Sequence, residues 1–363
     1  MPRLTRAEQQ ERTRGAVLAA ARAEFAEHGF TAAKVDRVAD RAELTRGAVY
    51  SNFAGKRALY LAVLVDVVER ARDRAGPPAT PPASTGAALA EFARVWLERL
   101  PFVGDAPGSG HLQLRSLSGV VEDGPARDAL AALVRFEALL LGLALEARRP
   151  GAGRRVRTAG LALTLLAGAA AVAENAPGVG DPFDLVRAAE HLAGIAIVDD
   201  DRPPYLDHVA PAETVDQPWA APRGLVDEIS GRPAEPGRDG VLVALGVHRL
   251  AAAEDTLRSA RLRDEVTVAI VTDDPAELGR LARLARLRIV DIAGCLRRVF
   301  APADLPRLRV VLDDGAVAAA LGVDAPGTRT EVAVRVRGGR VVARAEGFGA
   351  GHAVAASTAL PRA

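Results

Sequence analysis

Val17, Leu18, Ala21 and Phe25 recur at helical spacing within residues 12–28, and Gly29 after His28 reads as a helix stop. Thr31 then stands where a cap belongs, ahead of a second apolar face made of Val35, Val38, Ala39 and Ala42. After the turn at Glu43 and Leu44, Thr45 is a second cap and opens a short third helix over 46–53. Asn52, Phe53, Ala54 and Gly55 end it. Lys56 begins a long fourth helix with Leu59, Tyr60, Val63, Leu64, Val67 and Val68 inward.

Further on the pattern changes twice. Residues 84–198 are rich in Ala and Leu, and prolines cut them into helices at 85–100, 111–121, 126–148, 154–175 and 182–198, after a fourth helix at 56–75. Residues 199–238 carry seven prolines and few apolar runs, the composition of an extended linker. Residues 239–356 alternate short β-branched runs with helical stretches: strands at 241–247, 266–271, 308–312, 331–337 and 340–346, helices at 250–262, 275–286 and 316–321. Gly338-Gly339 is a two-residue hairpin turn between the last two strands. The predicted architecture is all-α through the first two-thirds, followed by a smaller α/β domain. Its boundaries are 1–55 (helix-turn-helix), 56–198 (helical body), 199–238 (linker) and 239–356 (α/β domain).

Two short helices joined by a tight turn, the second rich in small and polar residues, suit DNA. A recognition helix must offer one face to the major groove while the other packs on its neighbours. Val49 and Phe53 are spaced to face inward, which leaves Thr45, Arg46, Ser51 and Asn52 for the groove. Gly47 and Ala48 lack bulk and permit close approach. Tyr50 carries a hydroxyl within reach of a phosphate, and Lys34 is a further phosphate candidate. Lys56 adds a charge and a backbone N–H at a helix start. Residues 1–60 hold eleven basic and seven acidic side chains, an excess of four, against a net charge of +1 for all 363 residues. The chain is nearly neutral overall, so the positive field is local.

The string Gly29-Phe30-Thr31, Val38-Ala39, Leu44 to Phe53, Lys56 and Leu59 resembles the DNA-binding domain of the tetracycline-repressor (TetR/AcrR) family, above all in Gly47, Tyr50, Phe53 and Lys56. Asn52 stands where many members have His. The resemblance implies a cytoplasmic transcriptional regulator that binds palindromic operator DNA, a repressor acting as a homodimer through the helices near 154–175 and 182–198. It also implies a small-molecule effector held between the body helices, with Phe92, Trp96, Phe102, His111, Gln113, Phe136 and Leu140 as lining candidates. Thr31, Lys34, Thr45, Arg46, Gly47, Ala48, Tyr50, Ser51, Asn52 and Lys56 are the DNA-contact set.

The order of elements in 239–356, with Asp313-Asp314-Gly315 and the run 341–347, is similar to a thioredoxin or peroxiredoxin scaffold. Redox chemistry does not follow, because a thiolate is needed after the first strand and residues 247–251 contain no cysteine. Cys295 is alone, so it makes no intrachain disulfide, and neither a zinc site nor any cofactor is expected. His248 and Arg249 at the vacant position are a minor anion candidate. No catalytic residue is assigned. The alternatives to a repressor are a DNA-tethered enzyme or a protein-binding adaptor working through the C-terminal domain. The start of the chain lacks an apolar signal segment, and the apolar run 159–173 is shorter than a membrane span.

Overall fold

The computed structural model describes residues 5–74, 76–100, 112–113, 115–149, 151, 153–176, 178–199, 203–236, 239–272 and 279–358. Helix α1 (Arg6–Ala32) starts earlier than the apolar pattern does. Thr5 and Glu8 form a reciprocal capping box there, which holds a first turn that has no core to rest on. Gly29, at φ 64°, kinks this helix, and the chain continues helically to Ala32. Thr31 therefore lies in the kinked tail of α1 and does not cap α2 (Val35–Arg41). The cap residue of α2 is Lys34, whose N–H donates to the buried Glu24 carboxylate at 3.0 Å. Glu43, at φ 54°, forms the turn into α3 (Arg46–Asn52). Helix α4 (Lys56–Asp73) then leads into the body.

The body contains α5 (Thr85–Leu97), α6 (Gly124–Arg148), α7 (Val156–Asn175) and α8 (Pro182–Leu192). Two expected helices are cut short. Residues 115–121 form turns rather than a helix, and Arg115 sits at φ 55°, a backbone state that no helix accommodates. Residues 193–198 are turns and irregular chain beyond α8. Gly142 lets α6 meet the start of α7: a Cβ there would come within 2.7 Å of the Val156 Cα.

The C-terminal region is a mixed sheet of six strands in the order β1-β6-β5-β2-β3-β4. They are β1 (Glu213–Pro218), β2 (Gly240–Gly246), β3 (Glu265–Val271), β4 (Leu308–Leu312), β5 (Glu331–Arg337) and β6 (Arg340–Glu346). Strand β2 is central and buried throughout, parallel to β3 and antiparallel to β5. Such double burial explains its unbroken apolar run. Gly338 and Gly339, at φ 54° and 71°, make the predicted β5–β6 hairpin turn. Between the strands run α9 (Ala252–Ser259), α10 (Arg280–Val299) and α11 (Ala316–Ala320), with α12 (Ala350–Ala356) last. The fully buried Arg335 of β5 donates to the Val354 and Ala355 carbonyls, closing the end of α12, and pairs with Asp264.

Two features depart from the expected layout. Residues 199–238 are not simply a linker. Strand β1 adds to the sheet edge beside β6, and Asp227 accepts from the Ile229, Ser230 and Val310 N–H groups, locking a buried turn onto β4. Helix α10 runs to Val299, thirteen residues past its expected end at 286, and it is buried on more than one side. It packs on α4, α5 and α6. One continuous core therefore runs from Val17 in α1 to Ala355 in α12, while a smaller cluster fills the opposite face of the sheet beneath α11.

Candidate nucleic-acid interface

Helix α3 is seven residues long, too short to persist alone, so its neighbours must hold it. Val49 and Phe53 do this from one side, each 1% exposed. Thr45 opens the helix by accepting the Ala48 N–H at 3.2 Å. Thr45, Arg46, Gly47, Tyr50 and Ser51 are all exposed on the other side. Arg46 Nη1 lies 3.2 Å from Asp36 Oδ1, its Nη2 is 3.4 Å from the Tyr50 hydroxyl, and its guanidinium lies over the Tyr50 ring at 5.4 Å. These exposed contacts are individually weak, so the Arg46 side chain is oriented without being committed.

Ser51 and Asn52 turn back onto their own helix. The Ser51 hydroxyl and the Asn52 side-chain amide donate to the Ala48 carbonyl at 2.9 and 2.8 Å, and Asn52 is half-buried. Sequence pattern alone gives them no such partner. Thr31 and Lys34 are exposed nearby. Lys56 is half-buried: its Nζ donates to the Thr31 carbonyl at 3.0 Å and sits 4.8 Å from the Phe30 ring centroid, and burial lowers its pKa. The first turn of α4 has no side-chain cap, so its N–H groups face the space beside Thr31 and Lys56. The surface thus divides in two: a helix face of small and polar side chains, and next to it a cation at a helix start.

The residue that organises this arrangement is Glu24, which sequence pattern left unmarked. It is fully buried, accepts the Lys34 N–H, and pairs with Arg37 at 2.8 Å and with Arg41 at 3.5 Å. The only available clue was an acidic residue beside Phe25 on the inner side of α1. Phe25 and Phe30 pack edge-on and tilted against Tyr60, with centroids 4.8 and 5.1 Å from its ring, and join this unit to α4.

Residues 17–63 match the family model for bacterial regulatory proteins of the tetR family. The match spans the helix-turn-helix, the exposed face of α3 and Lys56. Residues 17–63 are a DNA-binding domain of the tetR type. Structures similar to it include a protein from Streptomyces coelicolor described as a transcriptional regulator (26% identity, 50% of this chain and 97% of that one, TM-score 0.31). Another is NalD, the secondary repressor of the MexAB-OprM multidrug efflux pump in Pseudomonas aeruginosa (23%, 52% and 94%, 0.35). A third is a TetR-like regulator from Rhodococcus sp. RHA1 (20%, 53% and 97%, 0.31). The likeness to the tetR family rests on the match over 17–63. No curated protein matches the chain.

The effector candidates scatter. Phe92, Phe136 and Leu140 are buried at 0–2% exposure and pack in the core. Phe102 and His111 lie outside the described residues. Trp96 is half-buried, with the Arg99 guanidinium 5.0 Å from its ring. Of the five described candidates, Gln113 lines the cavity of about 410 Å³ beneath α10. After β2, Arg249 pairs with Glu331 and covers the Phe348 ring, so its charge is already answered.

Helix α7 is 20 residues long, with a mean hydropathy of 1.6 over its most apolar window, long and apolar enough to cross a membrane, although the run seemed too short in sequence. Only a third of that window is buried, and Leu161 and Val172 are 44% and 45% exposed.

Proposed function

We propose that the protein is a ligand-responsive, homodimeric transcriptional repressor acting in the cytoplasm on a palindromic operator. The observation that carries this reading is the two-sided α3, with Val49 and Phe53 buried and Thr45, Arg46, Gly47 and Tyr50 free to enter a groove. In this reading residues 1–55 bind DNA, 56–198 dimerise and sense an effector, and 239–356 regulate without redox chemistry. Arg46 reads a base edge. Tyr50, Lys56, Lys34 and Thr31 address phosphates, and Gly47 and Ala48 allow close contact. Ser51 and Asn52 support the groove face through their hydroxyl and amide oxygens.

Dimerisation answers two needs. One short helix makes too few contacts for a specific site, and two half-sites about 34–36 Å apart multiply the discrimination. Leu161, Leu165, Gly168 and Val172 fall at i, i+4, i+7 and i+11 on the outer side of α7, and Phe183 of α8 is 79% exposed. An apolar stripe on two adjacent helices is covered by the same stripe of a second copy, giving a four-helix contact across a two-fold axis. A protection assay tests the proposal: a symmetric footprint with two half-sites is expected. Equal binding to an isolated half-site by a monomer contradicts it.

A further inference from the structure

The cavity of about 410 Å³ lies where two parts of the chain meet. Helices α1, α4 and α5 with Leu112, Gln113 and Arg115 supply most of its wall, and α10 closes it from the sheet side. Its volume falls within the range of small-molecule sites. The lining divides by chemistry. Val68, Val95 and Leu112 give apolar lining, and Arg99, Arg115 and Asp291 bring a cluster of charges. Arg99 donates to both oxygens of Asp291 at 2.7 and 3.0 Å and to the Cys295 sulfur at 2.9 Å. Arg115 Nε lies 3.1 Å from Asp291 Oδ1 yet has no hydrogen-bond partner of suitable geometry. Arg288, one turn before Asp291, pairs with Glu137.

Three guanidiniums thus meet two carboxylates at mostly buried positions, their side chains 4–26% exposed. Burial raises the Cys295 pKa, so its thiol supplies no balancing charge. For Asp291, burial pushes the carboxyl up, but Arg115, Arg99 and Arg288 together outweigh it and leave the group below its ordinary value. Asp291 is therefore ionised and already counted. Among the described residues one positive charge remains over. Arg22, exposed at the rim, adds another with no acidic partner among the described residues. Uncompensated buried charge is costly, and an anion placed beside Arg115 removes the cost.

We propose that this cavity binds an amphipathic monocarboxylate, its apolar body on Val68, Val95 and Leu112 and its carboxylate on Arg115. This deepens the ligand-responsive reading and rests on it only for the effect on DNA. The consequence follows from connectivity. Helix α4 carries the helix-turn-helix at one end and a cavity wall at the other, so a ligand that shifts α4 against α10 moves α3.

Octanoate and its uncharged isostere octanamide are the probes. Calorimetry on the full chain measures both. The Trp219→Phe variant leaves Trp96, stacked on Arg99, as the sole tryptophan reporter. Octanoate is expected to bind, to change Trp96 emission, and to bind at least tenfold tighter than octanamide. Arg115→Gln is expected to erase that preference, and inorganic phosphate, lacking an apolar body, is expected not to compete. Equal binding of acid and amide, an Arg115→Gln variant with the preference intact, or no octanoate binding at millimolar concentration overturns the site. Octanoate binding that leaves DNA affinity unchanged keeps the site and removes the ligand-responsive reading instead.

Discussion

Arg46 and Glu24 show how differently single charges act on the two sides of the DNA-binding unit. Arg46 is exposed, and its pairing with Asp36 costs little to break, so its role is at the DNA. Arg46→Ala is expected to leave the melting temperature unchanged and to cost about 1–3 kcal/mol at one base position if its contact is bidentate. Binding measured on operator and on random duplex checks this, since equal losses on both would assign Arg46 to phosphate. Glu24 has the opposite character. Removing it leaves Arg37, Arg41 and the Lys34 N–H without their shared acceptor, so Glu24→Ala is expected to destabilise the domain by about 1–3 kcal/mol. A denaturant midpoint unchanged in that variant would show the carboxylate to be idle. Periodicity marked Val49 and Phe53 correctly because burial is what a hydrophobic pattern reports. It left Glu24 unmarked because a buried carboxylate is legible only through its partners, and these lie ten to seventeen residues away.

At the scale of elements, α3 and the β5–β6 hairpin were legible because each is set by local chemistry, a threonine cap in one and two positive-φ glycines in the other. Strand β1 was hidden by the prolines around it, although an edge strand tolerates proline at its end, and Pro218 ends β1. The extent of α10 was missed for another reason: a helix sandwiched between a sheet and three helices is apolar on several sides, and no clean stripe appears. The outer stripe of α7 belongs to this scale too. Placing charge there by the double substitution Leu161→Glu and Val172→Glu is expected to give a folded monomer, seen as a halved mass in sedimentation, with specific DNA binding lost. A dimer that survives both changes would place the interface elsewhere.

Helix α10 decides how the molecule behaves as a whole. Its ion pairs reach Glu69 on α4, Glu98 and Arg99 beyond and at the end of α5, and Glu137 on α6, and its apolar side is continuous with the body core. A tethered, independent C-terminal domain would unfold separately. The shared core predicts a single transition, with far-UV circular dichroism and, in a Trp96→Phe variant, Trp219 emission following the same denaturant curve. Two separated midpoints would show the sheet and the helical body to be independent. The regulatory reading places the sheet domain behind α4 for the same reason, since what braces α4 also sets the position of α3. All of it depends on α3 entering a groove. The most direct measurement is the affinity of the full chain for the footprinted duplex between about 50 and about 200 mM salt, beside a Tyr50→Ala, Lys56→Ala double variant. A linear fall of log affinity with log salt, shallower in the variant by about one phosphate contact, that of Lys56, is the expected result. A chain that ignores duplex DNA at low salt, or a variant whose slope matches the parent, contradicts it.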